Sequence, residues 1–303
     1  MRIGVIGGVT AAEDGSLDGV VRSARELEAK GLATLWMPNI FGLDAITTQA
    51  IVGRETERIE LGTAVVPSYP RHPTAIAQQA LTASAASNGR FTLGIGLSHK
   101  LVIEDMLGLS YAKPLRHMRE YLTVLVELLQ GRPAKLDGEE YRVNLALQVP
   151  GAKPVPVLLA ALGEQMLRLC GRLADGTLLW MSGPKTIETH VAPTLFGAAE
   201  AAGRPRPRIV ASLPIALTND PDAAREWIAT NFSIYGTLPS YRAMLDREGA
   251  AGPADVAIAG DEKTLAAALD RLRDLGVSDF SAAVAAVDAE TGRRTLDFLA
   301  SRN

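Results

Sequence analysis

A chain of 303 residues, 47% hydrophobic and 21% charged, has the make-up of a soluble globular protein able to bury a large core. Its formal net charge of −3 leaves no electrostatic footprint for nucleic acid or an anionic membrane, and no apolar run approaches the ~20 residues of a transmembrane helix. The single cysteine, Cys170, excludes an internal disulfide and suits a reducing, cytoplasmic setting.

The chain opens in a predicted strand, Arg2 to Gly7, with no charged leader and cleavage site before it, so no signal peptide is expected. An amphipathic helix follows over Leu17 to Lys30, with Asp14 or Ser16 as its cap and Gly31 at its end. Leu32 to Met37 reads as a second strand closed by Pro38, and a helix from Leu43 to Glu55 leads to a third strand, Ile59 to Val66. Thr74 to Ala86 is a helix free of Gly and Pro, and Phe91 to Ile95 is the fourth strand. A loop from Leu97 to Ala112 precedes a helix from Pro114 to Gln130, ended by Gly131-Arg132-Pro133.

The pattern is then interrupted. Lys135 to Val149 reads as a short hairpin turning at Asp137-Gly138. It resumes with a strand at Val155 to Ala160, a helix at Glu164 to Leu173, a strand at Thr177 to Met181 and a helix at Lys185 to Ala202. Arg208 to Leu217 is the seventh strand. A helical insertion from Asp222 to Arg247, broken near Gly236 and Pro239, follows it. A helix over Asp261 to Leu275, a strand over Val277 to Val284 and a last helix from Glu290 to Arg302 complete the chain.

Eight short apolar strands alternating with helices fit one (β/α)8 barrel, a TIM barrel, spanning residues 1–303 as a single domain. The rival is an open doubly wound sheet. Neither Gly4-Val5-Ile6-Gly7-Gly8 nor Gly94-Ile95-Gly96 has its G-x-G-x-x-G spacing, since His99 stands where the last glycine is needed.

In a barrel the chemistry lies at the C-terminal strand ends. Asn39, Ile40 and Phe41 follow the second strand, and Pro67, Ser68, Tyr69, Arg71 and His72 the third. Leu97, Ser98 and His99 follow the fourth, Ala161 to Glu164 the fifth, and Trp180 to Gly183 the sixth. There is no metal-ligand spacing, nucleophile elbow or Walker A sequence. An apolar rim with sparse polar groups suits a flat organic cofactor or hydrophobic ligand. The helix start at Gly163-Glu164 is a phosphate seat or an ordinary β–α loop. His99, with an unperturbed pKa near ~6.5, is an acid–base candidate or a loop histidine. His72, before Pro73, reads as structural, and Cys170 as a buried packing residue.

Three stretches resemble a family. They are Arg58-Ile59-Glu60-Leu61-Gly62-Thr63-Ala64-Val65 with Arg71-His72-Pro73 and Ala77-Gln78-Gln79; Asn88-Gly89-Arg90-Phe91-Thr92-Leu93-Gly94-Ile95-Gly96; and Pro154-Val155-Pro156-Val157 with Arg168-Leu169 and Gly171-Arg172-Leu173-Ala174-Asp175-Gly176. Together with Gly276-Val277-Ser278-Asp279-Phe280, they make the chain similar to the bacterial luciferase-like flavin and deazaflavin oxidoreductases, which are (β/α)8 barrels. Gly96-Leu97-Ser98-His99-Lys100 and the hairpin look like the coenzyme F420 branch, with FMN users sharing most motifs.

The resemblance implies a cis peptide at Ala64–Val65 behind the cofactor ring. It implies a ring lined by Leu97, Ser98, His99 and Met181, and a cofactor phosphate held by Ala160, Ala161, Leu162, Gly163, Glu164, Gln165 and Met166. The Asp-His and Glu that the branch's sugar-phosphate dehydrogenases use are absent. Asn39-Ile40 and His99 stand there, so the catalytic candidates are His99 and Asn39. Ile40, Phe41, Pro67 and Trp180 then line the pocket of a small, rather apolar organic substrate. The expected function is F420-dependent hydride transfer by a cytoplasmic homodimer. An FMN-dependent monooxygenase and a non-catalytic flavin-binding protein are the alternatives.

Overall fold

The computed structural model of the chain describes residues 1–7 and 15–303. Eight parallel strands form a closed barrel: β1 Arg2–Ile6, β2 Thr34–Met37, β3 Glu60–Thr63, β4 Phe91–Gly96, β5 Val157–Leu159, β6 Gly176–Trp180, β7 Arg208–Leu217 and β8 Asp279–Val284. Each strand pairs with the next in chain order, and β8 closes on β1 with Arg2 opposite Asp279 and Val5 opposite Ala282. Helices lie between the strands, so the barrel prevails over the open sheet.

The interior is built in layers. At the N-terminal end of the strands Arg208 bonds Glu60 at 3.0 Å and Asp279 at 3.0 Å, and Arg2 bonds the same two carboxylates at 2.5 Å. Asp279 is fully buried. Above this ionic plug Trp36, Leu158, Leu178 and Val210 fill the barrel, and Ile6, Ala64 and Val65 cover them. Two strand glycines make the layer possible. A Cβ on Gly62 would stand 2.2 Å from the Trp36 ring, and one on Gly94 would stand 1.9 Å from the Thr63 carbonyl oxygen.

The element order agrees with the sequence reading, and the differences have local causes. Ser16 caps the first helix, accepting the Gly19 N–H at 3.0 Å; Asp14, the other candidate, and Gly8 lie outside the described residues. The hairpin pairs Ala134–Asp137 with Arg142–Leu145, and its turn is Gly138 to Tyr141 rather than Asp137-Gly138. The wider turn forms because the Glu120 carboxylate accepts the N–H groups of Glu139, Glu140 and Tyr141 at 2.8–3.2 Å. The expected loop after β4 contains a π-helical segment, Leu101–Met106. A short strand unread in the sequence, Ile258–Gly260, pairs with the end of β7. The insertion after β7 forms Pro221–Asn231, a 3₁₀ turn at Ser233–Gly236 and Pro239–Glu248, with breaks at the expected Gly236 and Pro239. No helix among the described residues is long and apolar enough to cross a membrane.

Candidate active site

The C-terminal strand ends converge on a small apolar floor. After Thr63 the peptide Ala64–Val65 is cis, at the position the resemblance implies. Val66 and Pro67 then resume pairing beside Ile95 and Gly96. Gly96 lets three strand ends meet: a Cβ there would stand 2.7 Å from Val65 Cγ2 and 3.2 Å from Ala160 Cβ. The Ala160 N–H donates to the Ile95 carbonyl at 2.8 Å. Ala64, Val65 and Ala160 are only partly buried, so they form an open apolar plate above the barrel core.

The helices that leave this face differ in how their first N–H groups are satisfied. Asp44, His72, Asp220 and Asp288 cap theirs with side chains. After β6, the Glu248 carboxylate of the insertion accepts the N–H groups of Lys185 at 3.1 Å and Thr186 at 2.7 Å. The helices Pro114–Leu129 and Glu164–Leu173 have no such partner, and the first of them begins with a proline that has no N–H to offer. The cap of the second is Gly163, which is exposed and has nothing within 4 Å of where a Cβ would be. Glu164 is turned to Arg168, one turn on, at 2.6 Å. Of the expected cradle, Gly163, Glu164 and Gln165 are exposed, Leu162 and Met166 are partly buried and Ala161 is buried.

One wall of the mouth is aromatic. Ser98, at a φ of 62°, turns the chain so that His99 reaches the insertion, its ring 5.7 Å from Tyr241. Tyr241 meets Tyr235 at 5.1 Å, Tyr235 meets Trp180 at 5.6 Å, and Trp180 meets Phe232 at 5.4 Å. His99 is half-buried, and burial lowers its pKa below the usual 6.5. The sequence reading placed Trp180 and His99 here but missed Phe232, Tyr235 and Tyr241. Their concentration within ten residues of one insertion was the available signal.

The remaining candidates are distributed unevenly. Ile40 and Phe41 stand on the rim, 64% and 70% exposed, and Pro67 is partly buried on β3's continuation. Leu97 is partly buried against the core. Asn39 Oδ1 accepts the Ala45 N–H at 3.0 Å, which ties the loop after β2 to its helix. Met181, expected to line the cofactor, is instead wholly buried; its φ of 55° turns the chain and its side chain joins the core. His72 caps its helix through Nδ1, which accepts the Thr74 N–H at 3.3 Å, and Cys170 is buried.

A second polar cluster was unread in the sequence. Ser68 Oγ meets His117 Nε2 at 2.8 Å, Tyr141 Oη meets His117 Nδ1 at 3.3 Å, and Tyr69 stacks on the imidazole at 3.9 Å. Burial drives the His117 pKa down to about 4 against the pull of Glu140 and Glu120. This chain fastens the hairpin to the end of β3. A groove of about 720 Å³, lined by Glu262, Lys263, Arg294, Asp297 and Phe298, lies between the last two helices and contains none of these groups.

The luciferase-like monooxygenase family model matches residues 2–287. The chain is 34% identical over 205 residues to a 5,10-methylenetetrahydromethanopterin reductase of Archaeoglobus fulgidus, a match covering 66% of this chain and 60% of that protein. It is 30% identical over 226 residues to a candidate coenzyme F420-dependent oxidoreductase of Mycobacterium tuberculosis, covering 69% of this chain and 65% of that one. The chain thus spans somewhat under two thirds of the length of these curated relatives. In three dimensions it resembles the coenzyme F420 dependent tetrahydromethanopterin reductase of Methanopyrus kandleri, with a TM-score of 0.80 at 20% identity over 99% of this chain and 97% of that one.

Proposed function

The chain belongs to the luciferase-like monooxygenase family, and from that premise we propose that it is a coenzyme F420-dependent oxidoreductase acting on a small, rather apolar organic substrate. The observation that carries the cofactor assignment is the helix start at Gly163. It presents backbone N–H groups without a side-chain cap, while the starts after β2, β6, β7 and β8 are filled by Asp44, the Glu248 carboxylate, Asp220 and Asp288, and the start at Pro114, also uncapped, lacks an N–H at its proline. Free N–H groups at the positive end of a helix fit a phosphate. The plate formed by Ala64, Val65 and Ala160 fits a flat ring on the same side of the mouth. The relative described as F420-dependent supports this choice over FMN.

Bound in its reduced form, F420 supplies a hydride to an activated C=C, C=N or C=O bond. The protein's own part is binding, exclusion of water and proton supply. Trp180, Tyr235, Phe232 and Tyr241 wall the mouth, and Ile40, Phe41 and Pro67 form its apolar rim. His99 supplies the proton that accompanies reduction. Asn39 serves the site by holding the loop after β2 in place. A single-domain homodimer in the cytoplasm completes the reading, and light scattering of the purified chain measures the dimer.

The test is an equilibrium fluorescence titration with F420 and, separately, with FMN. Selective F420 binding is the expected result. Preference for FMN overturns the cofactor assignment and points to oxygen-dependent chemistry.

A further inference from the structure

The rings of Tyr241 and His99, 5.7 Å apart between centroids, carry three polar atoms without protein hydrogen-bond partners. Neither the Tyr241 hydroxyl nor either ring nitrogen of His99 bonds to another described residue, and none of the three is sealed in the protein. Of the other tyrosines, three have partners, and the unpartnered Tyr69 hydroxyl is sealed away from the mouth's solvent. Tyr111 donates to the Ser98 carbonyl, Tyr121 to the Arg71 carbonyl, and Tyr141 meets His117. Tyr241 is held firmly all the same: its ring lies between His99 and Tyr235, and its helix is latched to the barrel by Glu248 on the Lys185 and Thr186 N–H groups. Accessible and not engaged by the protein, these atoms are free to bond whatever enters the mouth.

We propose that Tyr241 is a substrate-binding residue, which with His99 holds the carbonyl oxygen of an uncharged substrate whose apolar body lies against Trp180, Tyr235 and Phe232. The inference rests on the oxidoreductase reading and narrows its substrate to a ketone or enone. The donors fix the class. Burial raises the Tyr241 pKa, so its hydroxyl remains a donor throughout the neutral range. Burial lowers the His99 pKa, so near pH 7 its ring is mostly neutral and offers one N–H. Two neutral donors suit an oxygen with two lone pairs and bring no full charge to hold a carboxylate or phosphate. The rim agrees, since Ile40 and Phe41 are 64% and 70% exposed.

The experiment uses the cofactor-free protein and 4-phenylbut-3-en-2-one labelled with ¹³C at the carbonyl. Isotope-edited infrared spectroscopy reads the C=O stretch, and tryptophan fluorescence reads affinity. The wild type should bind the enone with its band shifted to lower wavenumber. Tyr241→Phe keeps the ring packing; it should lose part of that shift and weaken binding ~3- to 10-fold, the usual worth of one hydrogen bond. His99→Gln, which keeps a donor, should retain more of the shift than His99→Ala. F420 titration of Tyr241→Phe should give an unchanged Kd. A wild type that does not bind the enone, an unshifted band, or a Tyr241→Phe protein identical to wild type overturns the inference. Loss of F420 binding by the wild type itself sinks the cofactor reading instead and leaves the carbonyl contact standing on the infrared result.

Discussion

His99 lies between two environments, and its titration reports both. Its half-buried ring has a pKa below 6.5 because burial penalises the imidazolium. In the proposed proton transfer the minor imidazolium fraction of this mostly neutral ring is the donor, so kcat/KM for an acceptor should fall as pH rises through that lowered value. His99→Gln should be slower by ~10²- to 10⁴-fold, the ordinary worth of general acid catalysis, and its profile should lose that limb. An unchanged pH profile in the variant would remove His99 from the chemistry.

His117 makes the opposite use of the same physics. Its pKa near 4 against an ordinary 6.5 means that the unfolded chain binds the extra proton more readily. The stability gained from the neutral ring is therefore complete above about pH 6.5 and is lost as pH falls toward 4. The shift corresponds to about 3 kcal/mol. His117→Gln should flatten this acid-side loss in urea melts taken across that range. An equally steep loss in the variant would place the titrating group elsewhere.

At the level of elements, the insertion after β7 acts as a wall fastened to the barrel. Its latch is the Glu248 carboxylate over the helix start at Lys185 and Thr186, supported by the Thr186 hydroxyl on the Met244 carbonyl at 3.2 Å. Removing a helix cap costs ~1 kcal/mol. Glu248→Ala should therefore lower global stability by that order and raise KM more than it lowers kcat, since the wall loses its anchor while His99 is untouched. A variant with unaltered KM would show that the wall does not depend on the latch.

These elements show what the sequence could reveal. The alternation of apolar strands with helices, the caps and the Pro and Gly breaks are local signals, and they yielded the barrel and the places where it is interrupted. The strand-end loops followed from the barrel's polarity, whereas the cis peptide at Ala64–Val65 and the phosphate seat at Ala160 to Met166 came from the family resemblance. What escaped depends on contacts between distant residues. Glu120 dictates the hairpin turn from another helix, and Tyr241 reaches His99 from 142 positions away in the chain. Met181 could be placed at a strand end, but its left-handed backbone, which sends the side chain into the core, leaves no trace in residue type.

The whole molecule separates stability from chemistry along the barrel axis. Arg2, Glu60, Arg208 and Asp279 close the N-terminal end, where no candidate site residue lies. Asp279 is fully buried and faces two guanidinium groups, so Asp279→Asn leaves Glu60 alone to balance Arg2 and Arg208. Such a loss costs ~3–5 kcal/mol. The variant should melt earlier, yet below its transition it should bind F420 as the wild type does. A changed cofactor Kd in the folded variant would mean that the two ends are coupled.

If the open helix start at Gly163 holds the phosphate of F420, filling it must weaken the cofactor, which titrating wild type and Gly163→Asp with F420 side by side will measure. An aspartate is compatible with the extended backbone at this position (φ −75°, ψ 149°) and supplies the missing cap. It fills the N–H groups and places a negative charge where the phosphate would lie. The Kd of Gly163→Asp should rise at least ~10-fold, with thermal stability equal to or above that of the wild type. Equal affinity in the two proteins would contradict that placement of the phosphate.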